Sequence, residues 1–296
     1  MAESNADTRR QPVTYSGTNG VRLAGDRWDP GGDSHSRGTV LLLHGGGQTR
    51  HSWQFTAERL STAGWTAIAV DARGHGESEW APEGDYSLDA FVGDLYATVD
   101  ALDKPPVIIG ASLGGMTALV GQGERPGLAI ALVLVDITPR VEPAGRARIQ
   151  AFMASAPAGF ASLEEVADAV RAYNPYRTHP LNLQGLMKNV RQHANGRWFW
   201  HWDPQFLRIG DEPARAADVP RLYRAAGHIA VPTLLVRGSR SDIVSPEGAA
   251  ELLELIPSAT LIEVTAGHMV AGDDNDIFTA RLHDFLSTVV GGTLRR

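Results

Sequence analysis

The chain has 296 residues, of which 43% are hydrophobic and 21% charged, with a formal net charge of -7 and no cysteine. This length and composition are typical of a globular protein with one large core, and they exclude a disordered or fibrous chain. The acidic balance argues against a nucleic-acid surface, and the lack of cysteine excludes disulfides, cysteine nucleophiles and thiolate metal sites. No run approaches the roughly 18 apolar residues of a membrane span, so we expect a cytoplasmic protein.

Short apolar runs alternate with amphipathic segments along most of the chain. The runs predicted as strands are residues 39–43, 67–70, 107–109, 131–135, 233–236 and 261–264. The segments predicted as helices are residues 53–63, 88–102, 116–123, 246–256 and 276–290. Continuous apolar strands that alternate with helices predict a mostly parallel sheet with helices on both faces, which is an α/β architecture.

The alternation stops between about residues 139 and 227, where no strand-like run is evident. Helix-like segments at 146–155 and 162–173 predict a helical insertion instead. The insertion follows a predicted strand, so it would lie over the carboxyl ends of the strands, where open α/β sheets bind ligands. We therefore predict a flexible N-terminal tail at 1–12, an α/β core at 13–138 and 228–296, and a helical cap at 139–227.

A nucleophile motif lies in the middle of the predicted core, where residues 107–115 read Val-Ile-Ile-Gly-Ala-Ser-Leu-Gly-Gly. Gly110 and Gly114 flank Ser112 in a Gly-x-Ser-x-Gly pattern, and glycine lets the backbones approach closely around a protruding serine. The pattern alone carries little weight in a chain with 32 glycines. However, the apolar strand before it and the apolar helix after it are the context that a nucleophilic serine requires. Ser112 is the candidate nucleophile; a glycine-rich turn with an incidental serine is the alternative.

A nucleophilic serine needs a base, and the base needs an acid that orients it. His268 follows the predicted strand 261–264 by a short loop that contains glycine, so its side chain would overhang the carboxyl edge of the sheet. Asp242 occupies the corresponding loop after the predicted strand 233–236 and is the candidate acid. Asp136, at the end of another predicted strand, stays open as the alternative acid.

The order Ser112, Asp242, His268 resembles that of the α/β-hydrolase fold superfamily, and the resemblance extends over nearly the whole chain. Further matching segments are Leu-Leu-His-Gly-Gly-Gly at 42–47, Asp-Ala-Arg-Gly-His-Gly-Glu-Ser at 71–78 and Ala-Gly-His at 266–268. The chain is similar to the haloperoxidase-like and epoxide-hydrolase-like group, and its loop at 71–78 and cap placement look similar to those of epoxide hydrolases and haloalkane dehalogenases. Serine stands, however, where epoxide hydrolases and haloalkane dehalogenases carry aspartate. The resemblance thus implies a serine esterase or lactonase with a helical cap.

The resemblance also implies an oxyanion hole formed by the backbone N–H groups of Gly46 and Leu113, with Gly47 as a possible substitute for Gly46. An enzyme of this kind cleaves an ester or lactone through an acyl-enzyme and needs no cofactor and no metal ion. The residues expected to support loops rather than to react are His44, Asp71 and His75.

A dense aromatic segment lies inside the predicted cap, where residues 197–204 read Arg-Trp-Phe-Trp-His-Trp-Asp-Pro. Aromatic side chains can wall an apolar pocket, which favours uncharged substrates of moderate size. The alternative is that they only pack the cap onto the core. The candidate pocket residues are Gly47, Trp53, Trp198, Trp200, His201, Trp202 and Met269.

Three other functions are compatible with the same residues. Two of them keep the triad: cofactor-free perhydrolase or haloperoxidase-like chemistry, and hydrolysis of a carbon–carbon bond. The third is a non-catalytic ligand receptor on the hydrolase scaffold, which an intact triad disfavours. The expected partner is a small-molecule ester or lactone, with no nucleic acid and no membrane, and association into a homo-oligomer stays open.

Overall fold

The computed structural model describes residues 10–31, 36–174, 182–208, 212–268 and 276–293. The strands among them are β1 (Arg10–Ser16), β2 (Arg22–Trp28), β3 (Thr39–Leu43), β4 (Thr66–Val70), β5 (Val107–Ala111), β6 (Ala131–Val135), β7 (Val190–Gln192), β8 (Trp198–Trp200), β9 (Thr233–Gly238) and β10 (Ala259–Val264). The α-helices among them are α1 (Gln54–Thr62), α2 (Leu88–Asp100), α3 (Leu113–Glu124), α4 (Pro143–Met153), α5 (Leu163–Tyr173), α6 (Leu183–Leu186), α7 (Glu212–Gly227), α8 (Pro246–Leu255) and α9 (Asp276–Thr293).

One eight-stranded sheet organises the molecule, with the strand order β1-β2-β4-β3-β5-β6-β9-β10. The β1–β2 and β2–β4 pairings are antiparallel and the other pairings are parallel. The predicted mostly parallel sheet is therefore confirmed, and β3 and β6 begin and end where the sequence predicts. Because β5, β6, β9 and β10 are neighbours, the loops after their carboxyl ends meet at one edge of the sheet.

The core lies on both faces of this sheet. Side chains alternate between the faces along each strand: Ile108 belongs to one apolar cluster, and its neighbours Val107 and Ile109 belong to the other. The first cluster also contains residues of α2, α3, α7 and α8, and the second contains residues of α1 and α9. Strands buried on both faces by helices explain why the central strands read as continuous apolar runs.

The first two strands were not predicted from the sequence. Residues 10–12 were predicted to belong to the tail but lie in β1 at the edge of the sheet, which corrects the tail boundary. Within β1, only Val13 and Tyr15 pack against the core, and both are partly buried. A strand with one solvent-exposed face and only two core-facing apolar residues lacks the continuous apolar run that identified the other strands.

The insertion after β6 contains α4, α5, α6 and a hairpin of β7 and β8, with a small apolar cluster of its own around Phe160, Val166 and Leu186. The hairpin strands are only three residues long and were not predicted from the sequence. The described residues between 143 and 208 are called the cap below. The predicted cap extended to 227, but α7 packs on α3, and its Leu222 and Ala225 belong to the first apolar cluster of the sheet, here called the main core.

None of the helices among the described residues is long and apolar enough to cross a membrane.

Candidate active site

Ser112 lies in a strained turn between β5 and α3. Its backbone φ of 47° and ψ of -112° belong to a region that non-glycine residues rarely occupy. Such a conformation costs on the order of 1–3 kcal/mol and persists only where the surroundings enforce it. The flanking glycines explain how the turn closes: a Cβ on Gly110 would lie 2.4 Å from the Gly114 carbonyl oxygen, and a Cβ on Gly114 would lie 2.5 Å from that of Leu43.

His268, in the loop after β10, is bonded to Asp136 at the end of β6. The distance between His268 Nδ1 and Asp136 Oδ2 is 2.7 Å, and the side chain of Asp136 is fully buried. Two further donors satisfy the carboxylate: the Gly238 N–H to Oδ1 at 3.0 Å and the Ser241 hydroxyl to Oδ2 at 2.5 Å. Asp136 itself has a φ of 50°, so its side chain leaves the strand in an unusual direction. The geometry therefore favours Asp136 as the residue that orients His268.

This arrangement corrects the predicted partner of His268. Asp242, the predicted acid, pairs instead with Arg148 of α4 at 2.9 Å. About a third of the Asp242 side chain is exposed. Its neighbour Ser241 is the residue of this loop that reaches Asp136, a contact that no sequence signal indicated.

Residues 44–47 after β3, called the glycine loop, lie beside Ser112. A Cβ built on Gly45 would be 3.3 Å from Ser112 Cβ. The Gly45 N–H donates to Gln48 Oε1 at 2.8 Å, and the Gly47 N–H donates to His75 Nε2 at 3.1 Å. Neither the Gly46 N–H nor the N–H of Leu113, the first residue of α3, has an acceptor among the described residues. Of the three glycine amides, that of Gly46 is thus the one left for a ligand.

Two fully buried histidines support this loop. His44 Nδ1 lies 2.8 Å from the Gly45 carbonyl oxygen, and its Nε2 accepts from the Ala72 N–H at 2.9 Å. His75 Nδ1 lies 3.0 Å from the Arg73 carbonyl oxygen. Both rings therefore carry the proton on Nδ1 and present Nε2 as an acceptor. Burial lowers the pKa of His44 and lowers the pKa of His75 to about 3, so both rings are neutral at ordinary pH.

The cap covers the glycine loop with apolar side chains. A Cβ on Gly46 would lie 3.5 Å from Phe206 Cζ, and a Cβ on Gly47 would lie 3.2 Å from Met153 Cε and 3.4 Å from Trp202. Trp202 therefore lies where a pocket wall was predicted. Phe206 was not among the predicted pocket residues, although it lies just after the predicted aromatic segment, which could have been extended to include it.

The other tryptophans of the aromatic segment lie further from the loop. Trp200 stacks on Trp202 with ring centroids 4.9 Å apart and also contacts Phe160. Trp198 packs within the apolar cluster of the cap and pairs with Phe160 through backbone hydrogen bonds. Trp198 thus packs inside the cap, which is neither the predicted pocket role nor the predicted alternative of packing the cap onto the core.

His201 and Asp203 connect the cap to the loop at 71–86. His201 Nδ1 accepts from the Gly76 N–H at 2.7 Å, and burial together with the nearby His75 and His44 lowers its pKa well below the usual value. Asp203 accepts from the Tyr86 hydroxyl at 2.5 Å. Both side chains are buried, and they attach the segment that carries Trp202 to the core.

Two predicted pocket residues are not placed at the site. Trp53 is fully buried beneath the sheet, where it packs against Phe278 in the second core cluster, so it is a core residue. Met269 lies outside the described residues.

Asp71 is buried and accepts hydrogen bonds from the Arg50 and Glu77 backbone amides, so it supports its loop as expected.

No group of three or more histidine, aspartate or glutamate side chains in the described part of the chain is arranged to hold a metal ion.

The site therefore combines a strained serine at a strand-to-helix turn, a histidine–aspartate pair at the carboxyl edge of an α/β sheet and two backbone amides without an acceptor among the described residues. A model of the α/β-hydrolase fold matches residues 38–274. The chain belongs to this family.

Several relatives have known names. Esterase Rv0045c of Mycobacterium tuberculosis is 32% identical over 79% of this chain and 78% of the esterase. Its crystal structure superposes with a TM-score of 0.71 at 27% identity, covering 94% of this chain and 92% of the other. The N-formylmaleamate deformylase of Pseudomonas putida is 30% identical over 90% of this chain and 94% of the deformylase. An α/β hydrolase of Novosphingobium aromaticivorans shares the fold with a TM-score of 0.76 at 22% identity, over 94% of this chain and 98% of that one. The similarity to the esterase and to the deformylase supports a hydrolase activity for this chain.

Proposed function

We propose that the chain is a serine hydrolase that cleaves carboxylic esters or lactones of moderately sized apolar substrates through an acyl-enzyme. Ser112 is the nucleophile, His268 is the base, and Asp136 orients His268. The N–H groups of Gly46 and Leu113 form the oxyanion hole. This proposal keeps the nucleophile, base and oxyanion donors predicted from the sequence and replaces the predicted acid with the alternative.

The observation that carries the proposal is the 2.7 Å contact between His268 Nδ1 and Asp136 Oδ2. Because Nδ1 donates to the carboxylate, Nε2 of the neutral ring is the nitrogen with a free lone pair, and this is the nitrogen that can accept a proton from a serine. The buried carboxylate then stabilises the imidazolium that forms. Three hydrogen-bond donors to Asp136 keep it fixed as the acceptor.

The reaction follows from this geometry. Ser112 Oγ attacks the carbonyl carbon while His268 Nε2 takes the hydroxyl proton, and the negative charge on the carbonyl oxygen is stabilised by the two free N–H groups. The tetrahedral intermediate collapses, and His268 returns the proton to the leaving oxygen, which releases an alcohol and leaves an ester on Ser112. Water then attacks the ester on Ser112 while His268 takes its proton. The second tetrahedral intermediate collapses, His268 returns the proton to Ser112 Oγ, and the acid is released.

The proposed substrate class rests on the side chains that cover the glycine loop. Met153, Trp202 and Phe206 present sulfur, carbon and aromatic surface above Gly46 and Gly47. An uncharged acyl or alkoxy group would gain free energy by burying its own apolar surface there, about 25 cal/mol per Å². The similarity to the mycobacterial esterase supports the same class of reaction.

Hydrolysis of an N-acyl bond is the second candidate, and the similarity to the N-formylmaleamate deformylase favours it. The same residues would serve, with His268 protonating a leaving nitrogen instead of an oxygen. The perhydrolase, carbon–carbon hydrolase and receptor alternatives have no comparable observation in their favour.

Covalent labelling followed by a substrate panel tests the proposal. Wild type, Ser112→Ala and Ser239→Ala are incubated with a fluorophosphonate and examined by intact mass. Ser239 is an exposed serine after β9 and serves as the matched control. We expect one adduct on wild type and on Ser239→Ala and none on Ser112→Ala. p-Nitrophenyl esters, lactones and N-formyl amides are then compared by kcat/KM.

Turnover of esters or lactones that is lost in Ser112→Ala supports the first candidate, and preferential turnover of N-formyl amides supports the second. An adduct that persists in Ser112→Ala would contradict the assignment of the nucleophile. Ligand binding by folded wild type with neither an adduct nor turnover would favour the receptor.

A further inference from the structure

The glycine loop, which lies beside Ser112, and the loop after β4 are joined by a reciprocal pair of histidines. His44, in the glycine loop, accepts the Ala72 N–H of the loop after β4. His75, in the loop after β4, accepts the Gly47 N–H of the glycine loop. The Nδ1–H of each ring donates a hydrogen bond to a carbonyl oxygen of its own loop. The two loops are therefore fixed against each other by side chains that are themselves fixed at both ring nitrogens.

The glycine loop needs such support because Gly45, Gly46 and Gly47 have little intrinsic backbone preference. An oxyanion donor works only if its direction is set before the charge develops. The peptide unit that joins Gly45 to Gly46 contains both the Gly45 carbonyl, which accepts from His44, and the free Gly46 N–H. In a planar trans peptide these two groups point in opposite directions, so the His44 bond restrains the Gly46 N–H from one side, on the Gly45–Gly46 peptide unit.

The next peptide unit joins Gly46 to Gly47, and His75 holds its N–H. Gly47 has a φ of 75°, so the chain turns sharply at this residue. Without an acceptor at His75 Nε2, this peptide unit could rotate, and rotation about the Gly46 backbone would displace the amide on its other side. The contact also occupies the Gly47 N–H and thereby leaves Gly46 as the donor to a ligand.

We propose that His75 is a positioning residue for the oxyanion hole, which acts by holding the Gly46–Gly47 peptide unit so that the Gly46 N–H faces the substrate carbonyl. This inference rests on the proposed serine-hydrolase function and adds a residue that lies outside the triad. His75 touches no reacting atom, since its two ring nitrogens are occupied by Arg73 and Gly47.

The packing around His75 shows why its replacement must be chosen with care. The ring is fully buried and contacts Phe206 edge-on, with ring centroids 4.7 Å apart. His75→Gln places an amide oxygen near the Nε2 position and keeps an acceptor for the Gly47 N–H. His75→Met has a similar length and fills a similar space, but it offers no comparable acceptor. The two variants thus separate hydrogen bonding from packing.

The test compares kcat and KM of wild type, His75→Gln and His75→Met on a p-nitrophenyl ester that wild type hydrolyses. Loss of a complete oxyanion donor lowers kcat by about 10²–10³-fold, and a displaced donor is expected to cost about 10–100-fold. We expect His75→Met to lose about 10–100-fold in kcat with KM within about threefold, and His75→Gln to stay within about fivefold in both.

Inhibition by an aryl trifluoromethyl ketone provides the readout that general destabilisation would not reproduce. Ser112 adds to this ketone and creates an oxyanion, so the affinity depends on the Gly46 N–H. We expect the inhibition constant of His75→Met to rise by the same factor as its kcat falls, while inhibition by the corresponding non-electrophilic alkyl ether is unchanged.

A variant that lowers stability elsewhere completes the experiment. Val99→Ala removes buried methyl groups from α2 in the main core. It is expected to lower the melting temperature without changing kcat or the ketone inhibition constant by more than about twofold. An inactive, unlabelled wild type would refute the proposed function, and with it this inference. With an active wild type, unchanged kcat in His75→Met, or equal losses in His75→Met and His75→Gln, would overturn the role of His75 alone.

Discussion

Acidification is expected to destabilise the folded protein because several histidines are buried in the neutral form. Burial lowers the pKa of His75 to about 3, and it also lowers the pKa values of His44 and His201. In the unfolded chain a histidine has a pKa of about 6.5. As the pH falls below about 6.5, the unfolded state takes up protons that the folded state does not, so the free energy of unfolding decreases until the pH reaches the folded pKa.

The size of this effect follows from the two pKa values. At pH 5 an unfolded histidine with a pKa of about 6.5 is almost completely protonated, whereas His75 in the folded state remains neutral. The difference lowers the free energy of unfolding by about 2 kcal/mol between pH 7 and pH 5 for His75 alone. His44 and His201 act in the same direction.

Urea unfolding at pH 7, 6 and 5 measures this dependence. Wild type should lose at least about 2 kcal/mol over the range, and His75→Gln should lose about 2 kcal/mol less than wild type because it has no group to protonate there. His75→Met, which likewise has no titratable group at this position, is the control, and its pH dependence should match that of His75→Gln. Identical pH dependence in wild type and His75→Gln would refute the reasoning.

Two further predictions concern the turn and the attachment of the cap. Gly114→Ala would place a Cβ 2.5 Å from the Leu43 carbonyl oxygen, so we expect it to lower stability by about 2–3 kcal/mol and to reduce kcat strongly; a normal melting temperature with full activity would contradict the described turn. Tyr86→Phe removes the hydrogen-bond donor to buried Asp203 and should lower the free energy of unfolding in urea by about 2–3 kcal/mol. Tyr96→Phe, at a partly exposed hydroxyl, is the control and should lower it by less than about 1 kcal/mol. Equal losses in the two variants would contradict a stabilising role for the buried Tyr86–Asp203 contact.

The two strands whose bounds the sequence predicted to the residue are buried on both faces of the sheet. β3 and β6 could be delimited to the residue because every position of such a strand is apolar or nearly so. β1 was missed because it is an edge strand whose polar residues face solvent, and β7 and β8 were missed because three residues are too few to show a period. The assignment of α7 to the cap was wrong because its packing partner, α3, is distant in the chain.

The candidate site, like the fold, could be predicted from the sequence only in part. Ser112 and His268 could be selected from local patterns, since a turn motif and a strand-end histidine are both visible in the sequence. The choice between Asp136 and Asp242 could not be made in this way, because both follow strands that end at the same edge of the sheet. The deciding observations are the 2.7 Å contact between His268 and Asp136 and the pairing of Asp242 with Arg148, and neither leaves a sequence signal.

The central claim is that Asp136 orients His268. The most direct measurement compares kcat of Asp136→Asn and Asp242→Asn on one ester, with melting temperatures measured in parallel. An asparagine at 136 cannot stabilise the imidazolium and favours the wrong tautomer of His268, so we expect kcat to fall by on the order of 10³–10⁴-fold, while Asp242→Asn stays within about threefold of wild type. Retained activity in Asp136→Asn together with a large loss in Asp242→Asn would contradict the account.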